Sequence, residues 1–159
     1  MNELKKRIYV SGALTGINNS DSLKEFYVDI GLLCEDTGFQ AYIPHLNTDP
    51  NKHPNISPRQ VFETDKHQVT KSDLVIAYIG YASLGVGMEL AYAETNAIPI
   101  IMLYEKGKVV SRFPRGIPSV LSEIEFKDYQ DALIQLDSVL KKWRQQHIEQ
   151  YSSAPFYST

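Results

Sequence analysis

The apolar segment Asp73–Ile79 and the glycine-containing turn after it constrain the fold of this chain more than any other feature. A segment this short and apolar is typical of a strand buried on both faces of a parallel sheet. The turn, Gly80–Gly85, leads into a predicted helix over Val86–Asn96 with Glu89 in its first turn. Such a junction presents backbone N–H groups and the positive end of the helix dipole. It therefore predicts an anion-binding site that contains a carboxylate.

The rest of the chain alternates between strand patterns and helix patterns. The predicted strands are Arg7–Ser11, Phe39–Ile43, Asp73–Ile79, Ile98–Tyr104 and a short Ile124–Phe126. The predicted helices run from a capping box of Ser22 and Glu25 to a stop at Gly38, from Ser57 to about Lys71, over Val86–Asn96 and over Tyr129–Trp143. This alternation predicts an α/β fold: a doubly wound (Rossmann-like) parallel five-stranded sheet with helices on both faces. Residues 1–146 are predicted to form one domain, and residues 147–159 a C-terminal tail.

Ligands on such a sheet bind outside the carboxyl ends of the strands. Three loops lie on that edge of the predicted sheet: Gly12–Asn19, Pro44–Ile56 and Gly80–Gly85. The second is polar and aperiodic, so we expect a long loop that serves as a lid or a binding loop.

Composition limits the partners of the protein. The net charge of −3 argues against a nucleic-acid polymer and leaves small metabolites open. No apolar run reaches membrane-spanning length, and the single cysteine, Cys34, lies in an apolar helical pattern that predicts a buried thiol. We therefore expect a cytoplasmic protein with a small-molecule substrate and no membrane partner.

Three side chains are candidates for chemistry. The helix dipole is expected to keep Glu89 ionised at neutral pH, which suits a nucleophile or an electrostatic stabiliser, although first-turn acids also simply stabilise helices. Asp65 lies in the helix before the central strand, so it either reaches the same pocket or is solvated. Tyr9 is either a core residue or a hydroxyl that meets a carboxylate.

The turn before Glu89 has two further interpretations. Ser83, Gly85 and Gly87 predict an anion cradle of one hydroxyl and backbone N–H groups, or else a plain tight turn. The two glycines also make half of a dinucleotide fingerprint. Leu90 replaces its third glycine, however, and Glu89 would repel a pyrophosphate, so a nicotinamide cofactor is disfavoured.

The histidines do not predict a metal centre. His45, His53 and His67 are spread over a loop and a helix, and no two share a helix face at the spacing that zinc sites use. We expect neither a metal nor an organic cofactor.

Several segments together resemble one enzyme family. The segment Ser83–Leu90, preceded by Ser72–Ala77, closely resembles the 2'-deoxynucleoside 5'-phosphate N-hydrolases, which belong to the nucleoside 2-deoxyribosyltransferase superfamily. Tyr9–Gly12 resembles the Tyr-x-x-Gly signature of the family's first strand. Lys108–Ser111, followed by Arg115–Gly116, looks like the family's late phosphate loop.

The resemblance implies catalytic roles. Glu89 would be the nucleophile that attacks C1' of the sugar, and Tyr9 would orient it. Asp65, placed before Glu89 at the family's spacing, would act as acid toward the departing base and as base toward the incoming water. Met88 departs from the pattern, because the family often has tyrosine there.

The resemblance also implies how the substrate is bound. The glycine-containing turn would hold the 5'-phosphate together with Ser111 of a neighbouring subunit, which makes the protein at least a homodimer. The residues after the first strand would line the sugar. The proline-rich loop around His45–Ile56 has no close match in the family, and we expect it to close over the base. The predicted substrate-binding residues are Gly12, Ala13, Leu14, His45, Ser83, Gly85, Gly87 and Ser111.

The expected function is hydrolysis of the N-glycosidic bond of a (deoxy)nucleoside 5'-monophosphate through a glutamyl–glycosyl intermediate. The products would be the free base and (deoxy)ribose 5-phosphate. Three alternatives stay open: a nucleoside 2-deoxyribosyltransferase, a CMP-type ribonucleotide N-glycosidase, and a non-catalytic nucleotide-binding module.

Overall fold

The computed structural model of the protein describes residues 5–147. Its strands are β1 (Arg7–Ser11), β2 (Gln40–Tyr42), β3 (Leu74–Tyr78), β4 (Ile100–Glu105) and β5 (Val120–Phe126). Its helices are α1 (Ser20–Asp36), α2 (His45–Thr48), α3 (Pro58–Thr70), α4 (Leu84–Thr95), α5 (Arg112–Arg115) and α6 (Tyr129–His147). The strands form one sheet in the order β2-β1-β3-β4-β5, and every neighbouring pair is parallel. The predicted fold class is confirmed.

The strand order places a crevice at the centre of the sheet. The chain moves outward from β1 to β2 and then returns to β3 on the other side of β1. The loops that leave β1 and β3 therefore diverge, and such a switch point is where doubly wound sheets bind ligands.

Alternation along the strands divides the core into two layers. Ile8 and Val10 of β1 pack with α1 and α6, whereas Tyr9 packs with α3 and α4. Cys34 is fully buried in the first layer, as predicted, and burial raises the pKa of its thiol to about 12. The second layer contains the candidate catalytic residues.

Helix α3 begins as predicted, because the local sequence supplies every element of a helix start. Ser57 Oγ accepts a hydrogen bond from the Gln60 N–H at 3.2 Å, and the Gln60 side chain accepts one from the Ser57 N–H at 2.9 Å. Pro58 occupies the first turn, where its missing N–H costs nothing.

Helix α1 begins earlier than predicted. Asn19 caps the helix in the left-handed conformation (φ 66°) without a side-chain hydrogen bond, and the helix starts at Ser20. The predicted capping box of Ser22 and Glu25 is therefore wrong, because both residues already lie inside the helix. Asparagine tolerates the left-handed region better than most residues, which allows the earlier start.

The segment after β2 is more ordered than the predicted loop. It contains the short helix α2 and is anchored to α1 by an ion pair, with Lys24 Nζ 2.6 Å from Asp49 Oδ2. Asp49 is almost completely buried, and the bond from Lys24 holds the pKa of its carboxyl below the ordinary value. The segment Pro44–Ile56 is therefore folded and held against α1, and it is not the aperiodic loop that was expected.

The remaining differences are the short helix α5, which was not predicted, and the ends of several elements. Helix α4 begins at Leu84, two residues before the predicted start, and β5 begins at Val120 rather than Ile124. Helix α6 extends to His147, and the rest of the predicted C-terminal tail lies outside the described residues. Within residues 5–147, no helix is both long enough and apolar enough to cross a membrane.

Candidate active site

The Glu89 carboxylate lies at the switch point between β1 and β3. Tyr9 donates a hydrogen bond to Glu89 Oε1 at 2.7 Å, and Ser11 donates one to Oε2. Residues two apart on a strand point to the same face, so both hydroxyls reach the same carboxylate. The contact of Ser11 was not predicted, although alternation from Tyr9 in β1 indicates it.

The protonation of Glu89 differs from the prediction. Because α4 starts at Leu84, Glu89 is the sixth helical residue and lies in the second turn, away from the free N–H groups. Burial raises its pKa to about 7, against the lowering effect of the bonds from Ser11 and Tyr9, and the charge of Asp65 raises it further. The expectation that the helix dipole keeps this carboxylate ionised is therefore wrong: near neutral pH it exists in both forms.

Asp65 faces the same cavity from α3. Packing of α3 against α4 encloses about 210 Å³ between the two carboxyl groups and a set of mainly apolar side chains. The apolar lining includes Val61, Phe62, Met88 and Tyr92. Burial raises the pKa of Asp65 to about 6, and the neighbouring Thr48 side chain opposes part of this rise. Asp65 is thus a cavity residue rather than a solvated one.

Tyr42 lies behind the Tyr9–Glu89 contact, and sequence analysis did not identify it. Its ring stacks on that of Tyr9 with centroids 5.6 Å apart. Its hydroxyl is buried and has no hydrogen-bond partner among residues 5–147, and the same is true of Asp65 Oδ1. Burial, followed by the charges of Asp65 and Glu89, raises the pKa of Tyr42 to about 12. A neutral phenol therefore lies beside both carboxyl groups.

The first turn of α4 offers free hydrogen-bond donors that differ from those of the predicted anion cradle. Ser83 Oγ accepts from the Val86 N–H at 3.4 Å, which leaves the hydroxyl proton free to be donated. The Gly87 N–H already donates to the Ser83 carbonyl at 3.1 Å, so it is not available to a ligand. In the described part of the chain, the N–H groups of Leu84 and Gly85 have no acceptor. The available donors are these two N–H groups and the Ser83 hydroxyl.

The residues after β1 lie close to the cavity without lining it. A Cβ atom on Gly12 would lie 2.2 Å from the ring of Tyr27, which explains why glycine stands there. The Tyr27 hydroxyl donates to the Ala13 carbonyl at 3.1 Å, and Leu14 packs against the α1/α6 layer. The predicted contacts of Gly12, Ala13 and Leu14 with the sugar stay predictions.

The structure does not bring His45 or Ser111 into the cavity of the same chain. His45 is buried against the ring of Tyr27, with centroids 6.0 Å apart, and burial lowers its pKa, followed by the charges of Lys24 and Lys52. Ser111 is exposed at the start of α5. Within residues 5–147, no three His, Cys, Asp or Glu side chains are grouped closely enough to hold a metal ion.

Comparison with known proteins identifies the family. No protein-family model matches the chain. A protein from Thermofilum pendens is 33% identical over 110 residues, which cover 67% of this chain and 77% of the relative. A second protein, from Methanosarcina mazei, is 29% identical over 132 residues, covering 81% of this chain and 80% of the relative. Both carry the provisional name 2'-deoxynucleoside 5'-phosphate N-hydrolase 1.

Solved structures share the fold. The CMP N-glycosidase BcmB of Clostridium botulinum superposes with a TM-score of 0.66 at 21% identity, covering 84% of this chain and 99% of that one. A 2-deoxyribosyltransferase from Bacillus psychrosaccharolyticus gives a TM-score of 0.59 at 20% identity, covering 80% of this chain and 90% of that one. With the sequence relatives, these findings show that the chain belongs to the 2'-deoxynucleoside 5'-phosphate N-hydrolase family and is an enzyme of the N-glycosidase class.

Proposed function

We propose that the protein hydrolyses the N-glycosidic bond of a (deoxy)nucleoside 5'-monophosphate, releasing the free base and (deoxy)ribose 5-phosphate. One observation carries this proposal: Glu89 and Asp65 line one cavity, and Glu89 is oriented by two hydroxyl donors. A pair of carboxyl groups, one to attack and one to move protons, is what retaining glycosidases use at an anomeric carbon.

In the first step, the ionised Glu89 carboxylate attacks C1' as the bond between C1' and the base nitrogen breaks. The electron pair of that bond leaves with the base, which takes the proton of Asp65. The bonds from Tyr9 and Ser11 hold the carboxylate in one orientation for this attack. Burial raises the pKa of Tyr9 far above its ordinary value, so the phenol stays protonated and acts only as a donor.

In the second step, Asp65, now ionised, takes a proton from a water molecule as that water attacks C1'. The ester bond breaks, and its electron pair returns to Glu89 as a carboxylate. The sugar 5-phosphate leaves, and both carboxyl groups regain their initial protonation states. The two steps divide one difficult displacement into two easier ones.

The cradle supports a phosphate on the substrate. The Ser83 hydroxyl and the free N–H groups of Leu84 and Gly85 lie at the positive end of the α4 dipole. Glu89 lies five positions after Leu84 in the helix, an axial rise of about 7.5 Å at 1.5 Å per residue. A sugar 5-phosphate fits this arrangement, with its phosphate at the cradle and C1' toward the carboxylate.

A second copy of the chain is the proposed source of Ser111. The cavity of about 210 Å³ is smaller than most ligand sites, which suggests that another chain completes it. Leu84, Val109 and Phe113 are 92%, 98% and 94% exposed, and apolar side chains this exposed are typical of subunit contacts. Val109 and Phe113 flank Ser111 in sequence, so a dimer through this surface would bring Ser111 to an interface. The predicted cytoplasmic location stays a prediction.

A substrate panel tests the proposed function. The purified protein is incubated with ribo- and deoxyribonucleoside 5'-monophosphates and the matching nucleosides, with and without an acceptor base, and the free base is measured by chromatography. Base release from monophosphates without an acceptor is the expected result. Product formed only with an acceptor base would indicate a deoxyribosyltransferase, and binding without turnover would indicate a non-catalytic module.

A further inference from the structure

A second polar cluster lies beneath the turn that forms the cradle, on the α1/α6 side of β3. The Tyr78 hydroxyl, at the end of β3, donates to Glu105 Oε1 at 2.7 Å. Lys108 Nζ lies 3.4 Å from the Tyr78 hydroxyl and 3.4 Å from Glu105 Oε2. Glu105 Oε2 is buried and has no hydrogen-bond partner among residues 5–147, so its contact with Lys108 is an ion pair at the carboxyl ends of two neighbouring strands.

The same lysine holds the turn after β3. Lys108 Nζ lies 3.9 Å from the centroid of the Tyr81 ring, a cation–π contact. Between the two tyrosines, the backbone of Gly80 passes so close to the cluster that a Cβ atom there would lie 2.3 Å from the Tyr78 hydroxyl and 2.4 Å from Glu105 Oε2. The path of the turn that leads to Ser83 is therefore fixed by this cluster.

Lys108 connects two loops that are distant in sequence. Tyr81 is two residues before Ser83, the cap of α4, and Lys108 is three residues before Ser111, the cap of α5. The proposed function assigns the phosphate to both loops, one from each subunit. One lysine thus binds the cradle turn to the loop that carries Ser111 in the same chain.

We propose that Tyr78, Tyr81, Glu105 and Lys108 form a clamp that positions the phosphate cradle, and that Lys108 makes binding selective for a 5'-phosphate. The proposal rests on the proposed function, because it assumes that the cradle holds the phosphate. An apolar contact would fix the turn equally well. A charged clamp also places an ammonium group over the Tyr81 ring, two residues before the Ser83 cap, and a phosphate dianion is sensitive to such a charge, whereas a neutral nucleoside is not.

Lysine substitutions test the charge of the clamp. Lys108→Met removes the charge and keeps the length of the side chain, Lys108→Arg keeps the charge and the cation–π contact, and Lys106→Met removes an exposed charge two residues away. For Lys108→Met we expect KM for a nucleoside 5'-monophosphate to rise about tenfold with little change in kcat. We expect Lys108→Arg to recover most of this loss and Lys106→Met to behave as the wild type.

Two further measurements separate positioning from a merely structural role. The inhibition constant of the matching nucleoside, which lacks the phosphate, should change little in Lys108→Met. Tyr81→Leu, which removes the ring, should raise KM for the monophosphate as Lys108→Met does, whereas Tyr81→Phe keeps the ring and should keep most of the affinity. Thermal unfolding shows which variants are folded. If Lys108→Met does not fold, Tyr81→Leu still tests the clamp.

The proposal is overturned if monophosphate and nucleoside lose affinity equally, or if kcat falls while KM stays constant. Failure of the proposed function is a separate result, since the wild type would then release no base from any monophosphate. In that case, calorimetry with a 2'-deoxynucleoside 5'-monophosphate still tests the clamp. Weaker binding to Lys108→Met than to the wild type supports it, and equal binding, or none to either protein, overturns it.

Discussion

Two tyrosine–glutamate pairs at the carboxyl edge of the sheet share one geometry and differ in their surroundings. On the α3/α4 face, Tyr9 donates to Glu89 at 2.7 Å, and on the α1/α6 face, Tyr78 donates to Glu105 at 2.7 Å. Lys108 forms an ion pair with Glu105. Within residues 5–147, no lysine, arginine or histidine forms an ion pair with Glu89.

The difference shows what a cation does to such a pair. A carboxylate that is bound by both a phenol and an ammonium group is neutralised, and its contacts serve to hold loops together. A carboxylate that has hydroxyl donors but no cation keeps a charge that can attack an electrophilic carbon, and burial raises its pKa into the neutral range. We therefore expect substitutions at the two glutamates to have different consequences, and the predictions below test this difference.

The largest expected difference is in turnover. Glu89→Gln removes the proposed nucleophile and should lower kcat at least about 1000-fold. Glu105→Gln should keep kcat within about tenfold and mainly raise KM, because Glu105 touches no reacting atom. Steady-state kinetics on the best monophosphate measures both. Similar losses of kcat in the two variants would contradict the assignment of Glu89 as nucleophile.

The pH dependence of turnover tests the consequence of Glu89 having no cation as an ion-pair partner among residues 5–147. The productive form has Glu89 ionised and Asp65 protonated, and the pair then holds one proton. Because the pKa of Glu89, about 7, is above that of Asp65, about 6, this form is the less populated arrangement of that proton, and the alkaline limb follows the higher pKa. We expect kcat/KM to be greatest near pH 6.5 and to fall on both sides. Tyr9→Phe removes a bond that lowers the pKa of Glu89. The alkaline limb of the pH profile of Tyr9→Phe should therefore move to higher pH, while the maximum rate falls about tenfold.

A control for this prediction uses the other pair. Tyr78→Phe removes the equivalent hydroxyl from Glu105 and should leave the positions of both limbs unchanged. A pH profile that is the same in Tyr9→Phe and the wild type would show that Glu89 does not set the alkaline limb.

The stability of the two glutamine variants should change in opposite directions. The pKa of Glu89 is about 7 in the folded protein and 4.5 ordinarily, so between these values the folded state retains a proton that the unfolded state has lost. The free energy of unfolding therefore falls as the pH rises from 4.5 to 7, and above pH 7 the buried carboxylate destabilises the fold by roughly 1–3 kcal/mol. Glu89→Gln should recover much of this lost free energy of unfolding at pH 8 and little at pH 4.

Glu105→Gln should instead destabilise the protein at pH 8, because Lys108 and the Tyr78 hydroxyl lose a charged partner. Urea denaturation at pH 4 and pH 8 measures both effects. If both variants are destabilised at pH 8, the two glutamates do not differ as proposed.

The smallest expected effect is at the cradle. Ser83→Ala removes one hydroxyl donor and a long capping bond of 3.4 Å, so KM for a monophosphate should rise a few-fold and the nucleoside should be affected less. Ser57→Ala is the matched control, because Ser57 caps α3 without belonging to the cradle. Both variants should lose about 1 kcal/mol of stability, but only Ser83→Ala should change KM. Equal effects on monophosphate and nucleoside would exclude a phosphate role for Ser83.

Local patterns predicted much of the fold. The strand β1, the parallel sheet and the start of α3 follow from short-range features such as the Ser57–Gln60 capping box. Patterns of this kind failed where the sequence allowed two helix starts. Helix α1 begins after the left-handed Asn19, before the predicted capping box of Ser22 and Glu25. Helix α2 is too short to show a hydrophobic period, so its segment was predicted as a loop.

The candidate site was predicted less completely, because its properties depend on long-range contacts. Sequence analysis identified Glu89, Asp65 and Tyr9; in the structure Glu89 and Asp65 line one cavity, and Tyr9 is buried beside it and hydrogen-bonded to Glu89. It did not identify Ser11 or Tyr42, since neither residue type predicts chemistry until its neighbours are known. The raised pKa of Glu89 was also missed, because burial depends on how α3 and α4 pack and not on the spacing of residues in α4.

The position of β1 has a consequence for enzyme engineering. Both hydroxyls that hold Glu89 belong to this strand, which has β2 on one side and β3 on the other. An interior strand tolerates neither insertions nor shifts in register, whereas surface loops tolerate both. Libraries that diversify the loop after β4, or only the exposed positions of the segment after β2, should therefore yield altered substrate preference without loss of the nucleophile. Variation within β1 should yield mainly inactive or unfolded proteins.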